Sequence, residues 1–184
     1  MGIKDLLAQN RSAIVQKWFD RIVNTYPANS QKFIKKQKDP FANPVGSTIL
    51  QGIEGLYAEL LGEMETGKVA NCLDAIMRIQ AVQGFSPSEA LSFIPFLKGI
   101  IKDELKGEIQ GTRVVEELSE FETRIDRLTL LAFDHYMNCR ETIYEIRLGE
   151  LRNRSAEVME RIQRNEVRRG GAPGLPRVTG GPEE

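Results

Sequence analysis

Residues 38–49 of the chain read KDPFANPVGSTI, with two prolines, a glycine, an asparagine and one aromatic residue among twelve positions. A proline disfavours helical backbone for the residue before it. Asp39 and Asn43 are therefore expected to be extended, and Asn43 is suited to cap a helix that begins at Pro44. Phe41 is expected to pin the loop to the core. The stretch predicts a stiff helix start, built from Asp39, Pro40, Phe41, Asn43 and Pro44.

Apolar residues on both sides of this stretch recur at steps of three and four, which is typical of helices. Upstream, one helix is predicted from about Leu7 to Tyr26, where Pro27 should end it. A short helix follows, with Phe33 and Ile34 as its apolar anchor. Downstream, Gly67 is expected to cap the helix that begins at Pro44. The stripe of that helix consists of Val45, Ile49, Ile53, Leu56, Leu60 and Met64. Another helix, with Val69, Leu73 and Ile76, should end at Gly84.

The sequence SPSE at residues 86–89 is a capping box. Ser86 is predicted at the N-cap and Pro87 at the first helical position, with Glu89 reaching back to the cap. The helix that follows carries Pro95, which should kink it. Such a kink can widen a pocket, but it more often serves packing.

The last predicted helix starts at Thr112, and its apolar stripe extends from Leu118 to Ile146. A helix over residues 112–168 would measure about 85 Å, which is longer than the core of a domain of this size. Part of it must project, pair with a partner, or break at Gly149. Residues 170–184 contain five glycines and three prolines, which is typical of a disordered tail.

The chain shows no strand alternation and no internal repeat, so the predicted fold class is all-α. We expect a helical domain over residues 1–148, a charged exit helix over 149–169 and the tail over 170–184.

Charge and composition restrict the function. The 25 basic and 26 acidic residues argue against a nucleic-acid-binding protein. No apolar run is long enough to span a membrane, and Asp5 and Asn10 interrupt what would be a secretion signal. Cys72 and Cys139 lack the close spacing of a zinc or redox motif. These features predict a cytoplasmic protein without a transmembrane segment.

Candidate catalytic and metal-binding residues are few. His135 is the only histidine; it could be a haem ligand, but a local hydrogen bond or solvent explains it more simply. A di-iron site would need Glu-x-x-His pairs on facing helices, which the chain lacks. Gly46, Gly52 and Gly55 share one helix, where close helix packing is favoured over backbone access for a ligand. We therefore expect no cofactor, no metal and no enzymatic activity.

Three segments resemble the RsbRD N-terminal domain family. They are DPFANPVG (39–46), GIEGLYAELL (52–61) and YMNCRETIYEIRLGE (136–150), and the resemblance extends over residues 4–155. It implies the sensory half of an RsbT co-antagonist in stress-response signalling, with a globin-like, haem-free helical fold that dimerises. In the family the exit helix leads to a STAS domain that a partner kinase phosphorylates. Only the Gly/Pro-rich tail follows Arg169 here, so we expect a stand-alone input module.

Two functional hypotheses follow. The first is a non-catalytic sensory module that acts through a small-molecule ligand or a protein partner. The alternative is a structural accessory protein that docks on another complex, a membrane-associated complex included. In both cases we expect a homodimer through the long last helix, because its stripe is longer than one small core needs and Leu151, Val158 and Ile162 continue it. The predicted interface residues are Leu118, Phe121, Ile125 and Leu128.

Overall fold

The computed structural model describes residues 2–36 and 42–170. In this part of the chain there are helices and no strands, so the predicted all-α class is confirmed. The globin-like arrangement stays a prediction. The helices, in chain order, are α1 (Ile3–Gln9), α2 (Arg11–Val23), α3 (Ala28–Lys36), α4 (Pro44–Leu61), α5 (Thr66–Val82), α6 (Pro87–Leu91), α7 (Phe93–Glu104) and α8 (Thr112–Gly170).

The chain forms two compact units, Met1–Thr142 and Ile143–Glu184. In the first unit α2 packs against α4 and α7, and α4 packs against α5. The buried Trp18 stacks on Phe93 with 6.0 Å between ring centroids, and its Nε1–H donates to the Phe93 carbonyl oxygen at 2.6 Å. The buried Tyr57 hydroxyl donates to the Leu7 carbonyl oxygen at 3.0 Å. Both aromatic side chains therefore bury apolar area and still satisfy their polar atoms.

The contact between α4 and α5 depends on glycine. A Cβ atom on Gly52 would lie 2.7 Å from Ile76 Cδ1, and one on Gly55 would lie 2.5 Å from Cys72 Sγ. The predicted close helix packing is thus confirmed at these two positions. Gly46 differs, because a Cβ there would meet the side chain of Asn43.

Several predicted helix boundaries were wrong. The first helix is divided into α1 and α2 at Asn10, whose side-chain amide donates to the Leu6 carbonyl oxygen at 3.0 Å and so competes with helical bonding. Gly67 is not a cap: it lies inside α5, and Gly62 caps the end of α4.

The predicted apolar anchor of α3 is only half correct. Ile34 is buried, whereas 66% of the neighbouring Phe33 is exposed.

Pro95 does not kink a continuous helix. The chain ends α6 at Leu91 and begins α7 at Phe93, with Ser92 between them. Pro95 thus occupies the first turn of a new helix, where a missing N–H group costs little. The predicted interruption of the helix thus occurs about one turn before Pro95, as a boundary between two helices.

Helix α8 begins at Thr112, as predicted, and continues without interruption through Gly149 to Gly170. Residues 171–184, to which most of the predicted tail belongs, lie outside the described residues. Leu118, Phe121, Ile125 and Leu128 are each at most 6% exposed within the single chain. Their assignment to a dimer interface needs correction, because the core of their own chain already covers them. Burial of the stripe ends with Tyr136, and Ile146 is 58% exposed.

Candidate functional site

The start of α4 is held by one buried side chain. Asn43 is 6% exposed, and its Oδ1 accepts a hydrogen bond from the Gly46 N–H at 2.9 Å. Its Nδ2 donates to the Ile34 carbonyl oxygen of α3 at 2.8 Å. Pro44 occupies the first helical turn. Asn43 is therefore both the cap of α4 and the connection between α3 and α4.

An open groove of 420 Å³ lies beside this cap, and we call it the Asn43 groove. Its volume is within the range of small-molecule sites. It is lined by Tyr26, Asn29, Ser30, Phe33, Ile34, Ala42, Asn43, Pro44, Val45 and Gln83. None of these described lining residues carries a charge, so the groove offers apolar surface and neutral hydrogen-bonding groups.

Tyr26 is the most unusual residue of the groove. It is 5% exposed, and its buried hydroxyl has no hydrogen-bond partner within the described residues. Its ring meets Phe85 edge-on, at 5.4 Å between centroids and an angle of 61°. Burial raises the pKa of Tyr26 to about 12. The group is therefore a neutral hydroxyl at physiological pH, able to donate or accept one more hydrogen bond.

Phe85 connects the groove to α8 inside the first unit. Its carbonyl oxygen accepts a hydrogen bond from the hydroxyl of Tyr136, a buried residue of α8. The turn between α5 and α6 is closed by Gly84, whose positive φ of 79° favours glycine. The Phe85 N–H donates to the Gln80 carbonyl oxygen at 3.2 Å. The side chains of Tyr26 and Tyr136 thus both contact the residue that follows this glycine.

The residues predicted to matter are only partly brought together. Asn43 and Pro44 line the groove, whereas Asp39, Pro40 and Phe41 lie outside the described residues. Ser86, Pro87 and Glu89 form the capping box of α6. Sequence reasoning missed Tyr26, Ser30 and Gln83 as groove residues. The position of Tyr26 before Pro27 predicts only the end of a helix, and it is the one sequence signal at this residue.

The described ranges 2–36 and 42–170 contain no cluster of side chains suited to bind a metal ion. His135 is half-buried in α8, and no group of three or more histidine, cysteine or acidic side chains there is arranged to hold a metal ion. Within these ranges, no helix is both long enough and apolar enough to cross a bilayer.

The chain is similar to known proteins over most of its length. Residues 12–151 match the family described as the RsbT co-antagonist protein rsbRD N-terminal domain. An uncharacterized protein of Archaeoglobus fulgidus is similar to the chain, with 27% identity over 154 residues, which cover 83% of this chain and 91% of the relative. No solved structure matches. The match includes the Asn43 cap and the start of the exit helix, and the chain belongs to the RsbT co-antagonist rsbRD N-terminal domain family.

Proposed function

We propose that the chain is a non-catalytic sensory module related to the stress-signalling RsbT co-antagonists, and that it reads its signal through a ligand in the Asn43 groove. The observation that carries the proposal is that Tyr26, which lines a groove of ligand size, has a buried hydroxyl without a hydrogen-bond partner in the described residues. A buried polar atom without a partner is destabilising. An unpaired group of this kind is expected where a bound molecule completes the site.

The lining favours binding over catalysis. The described residues of the groove include no histidine, cysteine or carboxylate, which are the side chains that most often transfer protons or attack substrates. The family supports the same reading, since it consists of regulatory domains of RsbT co-antagonists.

A short route leads from the groove to α8 within the first unit. Tyr26 packs on Phe85, and the Phe85 carbonyl oxygen accepts a hydrogen bond from Tyr136 of α8. A ligand that shifts Tyr26 would therefore change its contact with Phe85 and, through Phe85, the bond to Tyr136. We propose this pair of contacts as the element that ligand binding biases, because coupling requires differential contacts in the bound and free states.

A direct test is mass spectrometry of the full chain under native conditions, after purification from cells that produce it naturally. We expect an added mass that is released on denaturation. The Ser30→Trp variant places a large side chain at the exposed rim of the groove and should lose that mass while keeping its helix content. If the wild type carries no molecule and no small-molecule cell extract stabilises it, the sensory proposal is wrong.

The second candidate function is docking on another protein complex, a membrane-associated complex included. It is favoured by a row of exposed apolar residues in the second unit, which we call the α8 seam. The seam consists of Tyr144, Leu148, Leu151, Val158 and Ile162, which are each 47–58% exposed. With Ser155 they follow alternating steps of four and three, the spacing that pairs one helix with another. Affinity capture with the wild type and with Leu151→Asp/Ile162→Asp distinguishes the two functions. Stable recovery of one enzyme complex only by the wild type would favour docking.

We also propose that the α8 seam is the homodimer surface, in place of the buried residues predicted from the sequence. Most helical stability in proteins comes from packing of an apolar face, and pairing with a second copy would supply that packing to the seam. Dimerisation and docking would then compete for the same residues.

A further inference from the structure

We infer that the Asn43 groove binds an uncharged small molecule with an apolar body and one hydrogen-bonding group, and that this group pairs with the Tyr26 hydroxyl. The inference rests on the proposed sensory function and adds the chemical class of the ligand. It follows from the uncharged lining residues that the structure describes and from the Tyr26 hydroxyl, which has no hydrogen-bond partner among the described residues.

The described lining residues favour a neutral ligand, because they include neither a basic nor an acidic side chain. A charged molecule would lose its hydration on entering the groove without gaining an ion pair from these residues. An anion or a cation should therefore bind more weakly than a neutral molecule of the same size.

Apolar side chains supply the rest of the contact. Phe33, Ile34, Pro44 and Val45 line the groove, and 66% of Phe33 is exposed. A large exposed aromatic residue beside a concavity gains buried area when an apolar ligand covers it. The body of the ligand is accordingly expected to be aromatic or aliphatic.

The buried hydroxyl of Tyr26 favours a hydrogen-bonding group on the ligand. Tyr26 lines the groove, and its hydroxyl, which has no partner within the described residues, can donate or accept a hydrogen bond. An alcohol, phenol or amide could pair with Tyr26, and a hydrocarbon could not.

Three probes of matched size test the inference with the full chain: p-cresol, p-xylene and p-toluate. They present a hydroxyl, a methyl and a carboxylate group on the same ring. Binding is followed by amide chemical shifts in NMR titrations. We expect p-cresol to bind most tightly, with shift changes concentrated at Asn29, Ser30, Ala42 and Gln83. p-Toluate should bind at least about tenfold more weakly than p-cresol, because its charge would lose its hydration without gaining a partner.

The Tyr26→Phe variant isolates the hydroxyl. It should weaken p-cresol binding by about three- to tenfold, the usual effect of one hydrogen bond, and leave p-xylene binding unchanged. Tyr144→Phe removes the same atom outside the groove and should change neither affinity. Ser30→Trp should abolish binding of both neutral probes, and circular dichroism reports whether each variant is folded.

The inference is overturned if p-toluate binds as tightly as p-cresol, or if Tyr26→Phe leaves p-cresol binding unchanged. Shift changes confined to other parts of the chain, or no binding of any probe up to its solubility, would overturn it as well. These failures are separable from failure of the sensory function. A molecule that co-purifies with the wild type and is lost in Ser30→Trp would keep the groove as a sensor and exclude only the proposed ligand class.

Discussion

The side-chain amide of Asn43 donates a hydrogen bond to the backbone carbonyl oxygen of Ile34 across 2.8 Å. Because Asn43 Oδ1 also caps α4 through the Gly46 N–H, a single buried residue positions the end of α3 and the start of α4 together. Both helices line the candidate groove. The stability of this junction is therefore linked to the shape of the site.

Replacing Asn43 with alanine should lower the free energy of unfolding by about 2 kcal/mol, since it removes an N-cap and a buried hydrogen bond. The corresponding fall in melting temperature is about 4–8 °C for a chain of this size. Asn43→Ser keeps a capping oxygen and should lose roughly half as much. The exposed Asn138→Ala variant should stay within about 0.5 kcal/mol of the wild type. Equal stability of Asn43→Ala and wild type in urea unfolding would refute the role of the junction.

Two glycine substitutions should change stability in opposite directions. At Gly52 a new Cβ would lie 2.7 Å from Ile76 Cδ1, and Ile76 is fully buried, so Gly52→Ala should destabilise by about 1–2 kcal/mol. Gly99 is in α7 with open space around it, so Gly99→Ala should stabilise by up to about 1 kcal/mol through helix propensity.

A double mutant checks the cause of the Gly52 effect. Ile76→Ala removes both atoms that the new methyl group would meet, Cδ1 at 2.7 Å and Cγ1 at 2.8 Å. Gly52→Ala should therefore cost less in the Ile76→Ala background than in the wild type, and denaturant unfolding of the four proteins gives the coupling. Additive effects of the two substitutions would show that contact with the Ile76 side chain is not the source of the strain.

The capping box of α6 should make stability depend on pH. The Glu89 carboxylate accepts hydrogen bonds from the Ser86 hydroxyl at 2.6 Å and from the Ser86 N–H at 2.9 Å. These bonds, the hydroxyl first, lower the pKa of Glu89 below its ordinary 4.5. A lowered folded-state pKa stabilises the fold above the unfolded-state pKa, and this contribution disappears as the pH falls through the folded-state pKa.

Glu89→Ala should therefore be less stable than the wild type at pH 7, and the difference should shrink on acidification below pH 4.5. Urea midpoints at a series of pH values measure this difference. Glu108→Ala, which removes another exposed carboxylate, serves as the comparison. A Glu89→Ala deficit that persists unchanged at the acid end would show that the carboxylate charge is not the stabilising feature.

The α8 seam predicts the oligomeric state. Light scattering of the full chain at high micromolar concentration should give twice the 20.8 kDa of one chain. Leu151→Asp/Ile162→Asp should give 20.8 kDa, because buried carboxylates oppose pairing. Ala156→Asp adds the same charge to α8 at a position outside the alternating four- and three-residue steps and should remain dimeric. A monomeric wild type would exclude the homodimer, and a dimer insensitive to the seam substitutions would relocate its surface.

Sequence alone determined the all-α class, the Pro44 and Pro87 helix starts and the beginning of α8 at Thr112. These features depend on local rules: the three-four periodicity of apolar residues, and side chains that satisfy the free N–H groups of a helix start. As caps, Asn43 and Ser86 each accept a hydrogen bond from the backbone N–H three residues later. Local chemistry of this kind can be read without knowledge of the remaining chain.

Tertiary packing decided which apolar residues of each helix are buried. Leu118 and Leu151 both belong to apolar stripes of α8, yet Leu118 is buried and Leu151 is 58% exposed. Both segments show the three-four spacing of apolar residues, so the spacing alone does not say which residue is buried. The candidate site was hidden for the same reason: Tyr26, Ser30 and Gln83 come from separate segments and acquire a common role when α3, α4 and the end of α5 surround one groove. Contacts between distant segments leave no periodic trace in the sequence.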